Sequence, residues 1–235
     1  MITRLHIKKY KCLNDEEMIL RPLTVLAGTN GSGKSSVLQA ILLLSYNLNP
    51  KNREKMSGMV REYQELDCDL RLTLDGMEYI YTKGEPLNRE ADILRIGESL
   101  CFLDPGSIGP EAITKMVKEY DEKSNDTIII DKPETELHPR VQFQLGEIFS
   151  FMVRKGIQLV IETHCEHLLS SLRYQVYKER LRPDDVIIYY KEDAAKPFEG
   201  IYINRDGRYA EKEGKRRCFP AGFFDVSVRQ LLEIG

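Results

Sequence analysis

One nine-residue stretch, Gly28-Thr29-Asn30-Gly31-Ser32-Gly33-Lys34-Ser35-Ser36, constrains this chain more than any other. It reads G-x-x-x-x-G-K-S, a phosphate-cradling pattern whose parts each have a physical purpose. Glycines let the backbone curl and approach an anion without a Cβ in the way. The curl points successive N–H groups inward as a nest for phosphate oxygens. Lys34 reaches the β- and γ-phosphates, and the Ser35 hydroxyl is placed to ligate Mg²⁺. The loop must follow a buried strand and open a helix, whose positive end faces the anion. Both neighbours are present: Leu23–Ala27 is a short apolar, β-prone run, and Ser36–Leu48 is apolar without Gly or Pro.

A second stretch complements the first. Thr127-Ile128-Ile129-Ile130-Asp131 reads as a central parallel strand whose acid emerges at the carboxyl edge, beside the loop. There Asp131 can hold the Mg²⁺ that bridges β- and γ-phosphates. Residues 135–156 then read as a helix with Val141, Leu145, Ile148, Phe149 and Met152 on one face and Gly156 as its cap. Gln158–Ile161 is the next buried strand and runs into Glu162-Thr163-His164, where His164 can reach a γ-phosphate.

Elsewhere the signals are structural. Residues 1–27 read as two strands, with Lys8-Lys9-Tyr10-Lys11 between them and a turn at Asn14-Asp15. That basic run is read as a solvated strand end, contact with nucleotide or nucleic acid being the alternative. Leu70–Leu74 and Met77–Thr82 flank Asp75-Gly76 as a hairpin, and Ser99–Leu103 is a further strand. Ile113, Met116 and Val117 place a helix over 111–120. Val186–Tyr190 is a strand, and Asp206-Gly207 turns between Ile201–Ile203 and Tyr209. Lys212, Lys215, Arg216 and Arg217 are read as a solvated loop before Phe219, Phe223 and Phe224, which dock on the core; a grip on DNA phosphates is the alternative.

His6 is read as structural, and His167, followed by Leu168-Leu169, as a helix-packing residue. The net charge of −3 offers no argument for nucleic acid or an anionic membrane. No apolar run is long enough to span a bilayer, and Met1–Ile7 lacks the apolar centre of a signal peptide. Five scattered cysteines without a CxxC pattern point to a reducing cytoplasm, most of them as small core residues.

The order of these motifs carries a family resemblance. The Gly28–Ser35 loop, the Ile128–Asp131 strand, PETELHP at 133–139 and IETHCEHLL at 161–169 together resemble ATP-binding-cassette (ABC) ATPases of the SMC-like kind. The match looks closest to a stand-alone bacterial AAA/ABC group with PE-x-x-LHP and ETHSEHL motifs. VIIYYKE and RRCFPAGFFD at 216–225 are similar to its C-terminal part. The resemblance covers residues 1–48 and 127–228. It implies a P-loop α/β fold: an ABC-type head with a mixed central sheet, flanking helices and an antiparallel β layer. The expected organisation is an ATP-binding domain at 1–190, with a compact insert at about 49–126, and a small C-terminal module at 191–235 packed on it.

The resemblance also assigns roles. Gly28, Asn30, Gly31, Ser32, Gly33, Lys34, Ser35 and Ser36 would cradle ATP, with Ser35 and Asp131 on Mg²⁺. Asp131 would be the Walker B acid, Glu136-Leu137-His138 a partner-facing D-loop and His164 the γ-phosphate switch. Family members close as head-to-tail dimers around ATP, and relatives work beside a nuclease or other effector in antiviral defence or DNA maintenance.

The sequence departs from that pattern in three places. A glutamate that polarises the attacking water follows the Walker B acid in many such ATPases; here it is Lys132, with Glu134 the candidate substitute. The best signature-loop candidate, Ser107–Glu111, puts Glu111 where a serine would face the opposite ATP, a repulsion of roughly 4 kcal/mol at 4 Å and an effective dielectric of 20. Gln64 is a weak Q-loop candidate, and residues 49–126 are too short for a coiled-coil arm. Three functions follow as alternatives: a slow MgATPase, a hydrolysis-poor nucleotide switch acting on a partner or its own dimer, and, least favoured, a nuclease.

Overall fold

The computed structural model describes residues 1–48, 68–74, 76–82, 100–103 and 127–220. The sites expected at Gln64 and Glu111, the 111–120 helix, Phe223 and Phe224 lie outside them. Three strands, not two, fill the first 28 residues: β1 (Ile2–Tyr10), β2 (Leu13–Ile19) and β3 (Leu23–Gly28). The reversal sits at Lys11-Cys12, since Tyr10 pairs with Leu13. Asn14-Asp15, expected as a turn, lies inside β2. Asn14, Asp15 and Glu17 face solvent on an edge strand while Leu13, Glu16 and Met18 are buried, so poor strand propensity is overridden by burial of the inward-facing residues. His6 is indeed structural: its Nε2 bonds Asp15 Oδ1 across the strands at 2.6 Å.

The hairpin forms as expected, from β4 (Asp69–Leu74) and β5 (Met77–Thr82). It joins the first two strands in an antiparallel sheet of order β2-β1-β4-β5. The second sheet collects β6 (Leu100–Leu103), β7 (Thr127–Asp131), β8 (Gln158–Glu162), β9 (Val186–Lys191), β10 (Glu199–Ile203) and β11 (Tyr209–Ala210) around β3. Its order is β11-β10-β9-β3-β8-β7-β6. The run β9-β3-β8-β7-β6 is parallel, while β10 and β11 pair antiparallel at one edge.

Strand periodicity decides what each face buries. Leu26, Ile129, Val160 and Ile187 point to one side, where they meet helix α1 (Lys34–Leu48) and the inner face of the antiparallel sheet. Helix α1 is apolar around its circumference, with Val37, Leu38, Ala40, Ile41, Leu42, Leu43 and Leu44 all buried, because it lies between the two sheets. Val25, Ile128, Ile130, Leu159, Ile161 and Ile188 point to the other side. They pack on α2 (Pro139–Arg154) and α3 (Glu166–Tyr177), which are apolar on one face only.

Helix α2 starts four residues later than the sequence suggests. Pro139 disfavours a helical residue before it, and His138 caps the helix by accepting the Arg140 amide at 3.3 Å. Gly156, at φ 90°, closes it: its N–H reaches Val153 C=O at 3.0 Å and that of Ile157 reaches Met152 C=O at 3.1 Å. His167 is exposed, not packed, because the buried face of α3 runs through Leu168, Leu169, Leu172 and Val176. Of the four cysteines with described side chains, Cys68 and Cys165 are buried and Cys12 and Cys218 exposed, so the expected core role holds for half of them. Near the end, Arg216 pairs with Asp206 at 3.0 Å and Arg217 with Glu199 at 2.6 Å. Phe219 packs against Tyr190 and Tyr209, as expected. No helix among the described residues is long and apolar enough to cross a membrane.

A buried amide ties the two sheets together. Gln158, 1% exposed, donates to the carbonyls of Ile2 (2.6 Å) and Arg21 (3.2 Å). Its Oε1 accepts from Ile2 N–H (2.7 Å) and Thr127 Oγ1 (2.9 Å). Gln158→Leu keeps the volume but orphans these groups, and should cost about 2–4 kcal/mol. The check is a lower urea midpoint at unchanged slope.

Candidate phosphate-binding site

The site lies at the carboxyl edge of the parallel strands. β3 ends at Gly28, the loop turns, and α1 begins at Lys34. Gly28 has φ 142°, and a Cβ there would sit well inside the Lys191 carbonyl oxygen of β9. The first glycine is therefore a packing requirement as well as a conformational one. Gly33, at φ 104°, lies under the β1–β2 turn, where a Cβ would meet Cys12 Sγ at 2.8 Å and Leu13 Cδ2 at 2.9 Å. Thr29 N–H donates to the Lys191 carbonyl at 3.3 Å, which anchors the loop to β9. Lys191 itself is buried in an ion pair with Glu16.

Lys34 is 2% exposed, and its ammonium turns back into the loop. It donates to Thr29 C=O at 2.6 Å and to Ser32 Oγ at 3.3 Å, while Ser32 Oγ donates to Thr29 C=O at 2.9 Å. Burial pushes the Lys34 ammonium below its ordinary pKa, partly opposed by the nearby carboxylates of Glu162 and Asp131. A cavity of about 180 Å³ opens beside it, lined by Asn30, Gly31, Gly33, Lys34, Ser35 and Ser36. Cys12, Lys132, Glu162 and His164 complete the wall.

The register of β7 and β8 sets Asp131 directly beside Glu162. Both follow the alternation that puts Ile129 and Val160 on the α1 side, so both face the loop. Glu162 is 1% exposed, and its Oε2 has no hydrogen-bond partner among the described residues. Its Oε1 lies 3.8 Å from Lys132 Nζ and 3.9 Å from His164 Nε2. Glu162 is the site residue that reading the sequence missed. The strand's own alternation was the available signal, since Val160 and Glu162 share a face.

Glu134 is placed differently from what its candidacy as a base suggests. Its Oε1 accepts the His164 backbone N–H at 2.7 Å, and it does not line the cavity. Burial pushes its carboxyl above the usual range. It staples the loop after β7 to the loop after β8, which fixes where His164 sits. Gln142 and Cys165 extend this stitching, through Gln142 Nε2 to the carbonyls of Glu134 and Leu137 and Cys165 Sγ to Gln142 Oε1. Glu136-Leu137-His138 forms the turn into α2, with Glu136 at φ 63°.

The pKa of His164 is held below its ordinary value. Burial is the main cause, and the charges of Lys34 and Lys132 add to it. Because its folded pKa is depressed, the unfolded chain takes up the proton first as pH falls through about 6.5, so this residue costs stability at acid pH. His164→Gln should therefore lose less stability than the wild type between about pH 7 and 5, as read from paired urea midpoints.

The oxygen donors fit a hard divalent cation: the Ser35 hydroxyl lines the cavity, and Asp131 and Glu162 carry carboxylates beside it. The loop fits a phosphate chain.

The chain is similar to known proteins in sequence and in fold. Residues 1–98 match the AAA ATPase domain family. The OLD nuclease of Thermus scotoductus is 42% identical over 53 residues, 23% of this chain and 10% of that protein. The DNA replication and repair protein RecF of Pectobacterium atrosepticum is 34% identical over 92 residues, 39% of this chain and 25% of that protein. The chain thus matches a quarter or less of these relatives. In three dimensions it is similar to an SMC head bound to the C-winged helix domain of ScpA, at TM-score 0.50 and 11% identity, over 87% of this chain and 98% of that one. This is the fold of an SMC-like, ABC-type P-loop ATPase head.

Proposed function

We propose that this ATPase head binds MgATP, hydrolyses it slowly, and uses its nucleotide state to control dimerisation or a partner effector. The observation that carries the reading is the buried Lys34 ammonium, folded into a glycine-rich loop beside two aligned carboxylates. In this reading the amides from Gly28 to Ser36 cradle the phosphates. Lys34 neutralises the β- and γ-phosphates, and neutral His164 donates a hydrogen bond to the terminal one. Ser35 and Asp131 would hold Mg²⁺, which would supply positive charge to offset the phosphates. Glu134 acts as a positioning residue through the His164 amide.

Slow turnover follows from Lys132. Asp131 Oδ1 and Glu162 Oε1 each lie 3.8 Å from its ammonium, so a cation stands where a carboxylate would be needed to polarise the attacking water. This same pairing favours the second reading, a hydrolysis-defective regulatory subunit. Partner control is supported by the structurally similar SMC head, which is bound to the C-winged helix domain of ScpA. Calorimetry with MgATP, phosphate release and light scattering with and without nucleotide test the scheme. Uptake with turnover above a Lys34→Ala control supports the slow ATPase. Uptake without such turnover selects the regulatory reading, and no uptake at millimolar nucleotide removes both.

A further inference from the structure

Lys132 occupies an unusual backbone state for an unusual purpose. Its φ is 47°, in the left-handed region that a residue with a Cβ avoids. Several bonds over-determine that state. The Lys132 N–H donates to the Glu162 carbonyl at 2.9 Å, and its own carbonyl accepts from Thr135 N–H at 3.1 Å and Thr135 Oγ1 at 2.9 Å. Strain held in this way gathers at functional sites, where it aims a group. Here it aims an ammonium into the phosphate cavity. Nζ stands 3.8 Å from Asp131 Oδ1 and 3.8 Å from Glu162 Oε1, between the two carboxylates. The unpartnered Oε2 of Glu162 is buried on the same wall.

We propose that Lys132 is a tethered cation that offsets the Asp131–Glu162 pair and meets the phosphate chain, so that nucleoside triphosphate binds this site with little dependence on Mg²⁺. The inference rests on the nucleotide-binding reading above and adds the charge state in which the ligand is accepted. Without Lys132, the Lys34 ammonium alone would stand against two carboxylates and a polyphosphate, and the remaining repulsion would have to be relieved by a divalent ion that gives up its water reluctantly. With Lys132, a charge already fixed to the chain does that work at no cost in ion dehydration. On this view the ammonium 3.8 Å from Asp131 Oδ1 would have to yield before Asp131 could hold a divalent ion.

The experiment is calorimetric titration of ATP into the full chain, once in Mg²⁺ and once in EDTA. Lys132→Gly removes the ammonium and suits φ 47°, so the fold is kept. Lys132→Arg retains the charge. The wild type and Lys132→Arg should lose less than about tenfold in affinity when Mg²⁺ is removed, and Lys132→Gly about a hundredfold or more. Equal Mg²⁺ dependence in wild type and Lys132→Gly would overturn the inference and leave nucleotide binding intact. Absence of ATP uptake by the wild type in both buffers would overturn the inference together with the reading beneath it.

Discussion

Lys34→Ala should weaken ATP binding by about a hundredfold or more while leaving the fold in place. The ammonium is buried against Thr29 C=O and Ser32 Oγ, so it is already desolvated and aimed where phosphate oxygens would gather. Truncating one partner of a buried, hydrogen-bonded charge pair costs about 2–5 kcal/mol, and 3 kcal/mol is roughly 150-fold in affinity. Stability should hardly fall, because alanine is the best residue in a helix and a partly depressed ammonium is removed from the interior. Titration calorimetry reads the affinity and thermal melting the stability. A variant that bound ATP within about threefold of the wild type would mean that the loop does not use its lysine, and the proposed site would be wrong.

Gly28→Ala should be the most damaging glycine-to-alanine change among the described residues. Two effects combine. Alanine at φ 142° is strained by roughly 1–3 kcal/mol, and the new Cβ collides with the Lys191 carbonyl, backbone that a central strand cannot move, for roughly 1–3 kcal/mol more. The sum, about 2–6 kcal/mol, is a large part of the stability of an ordinary domain. Gly33→Ala makes the contrast. Its Cβ meets only the side-chain ends of Cys12 and Leu13, which can shift, so the loss should be smaller. Urea midpoints of the two variants check the order; equal losses would show that conformational strain alone, and not the approach of β9, governs position 28.

These two positions also show where function and folding part. In the proposed reading Lys34 would serve the ligand and tolerate truncation, whereas Gly28 serves the packing of the sheet. Both belong to one loop, and the motif alone does not separate them. The carbonyl behind Gly28 belongs to β9, far along the chain, so only pairing of β3 with β9 reveals it.

Much of the site was legible from residues close in sequence. The loop, its strand and its helix are contiguous, and their chemistry is local: glycine conformations, a lysine and hydroxyls at fixed spacing. The runs Thr127–Asp131 and Gln158–Ile161 announced buried strands by their branched apolar residues, and each does carry polar residues to the edge. His164 falls at the cavity for the same reason. The role of Glu134 was not legible, because its partner is a backbone amide in another loop. The extra strand at the start was hidden by residues that disfavour strands but sit harmlessly on an edge.

The amino-acid order by itself indicated most of the described strands and helices, which residue types could meet a phosphate, and that the first long helix would be buried. Local conformational preference and apolar periodicity suffice for that. Which carboxylate stands beside Asp131, and that a lysine lies between the two, was decided only in three dimensions. The pairing of Asp131 with Glu162 is a register between parallel strands, set by how apolar faces on separate segments pack, and no spacing along the chain encodes it.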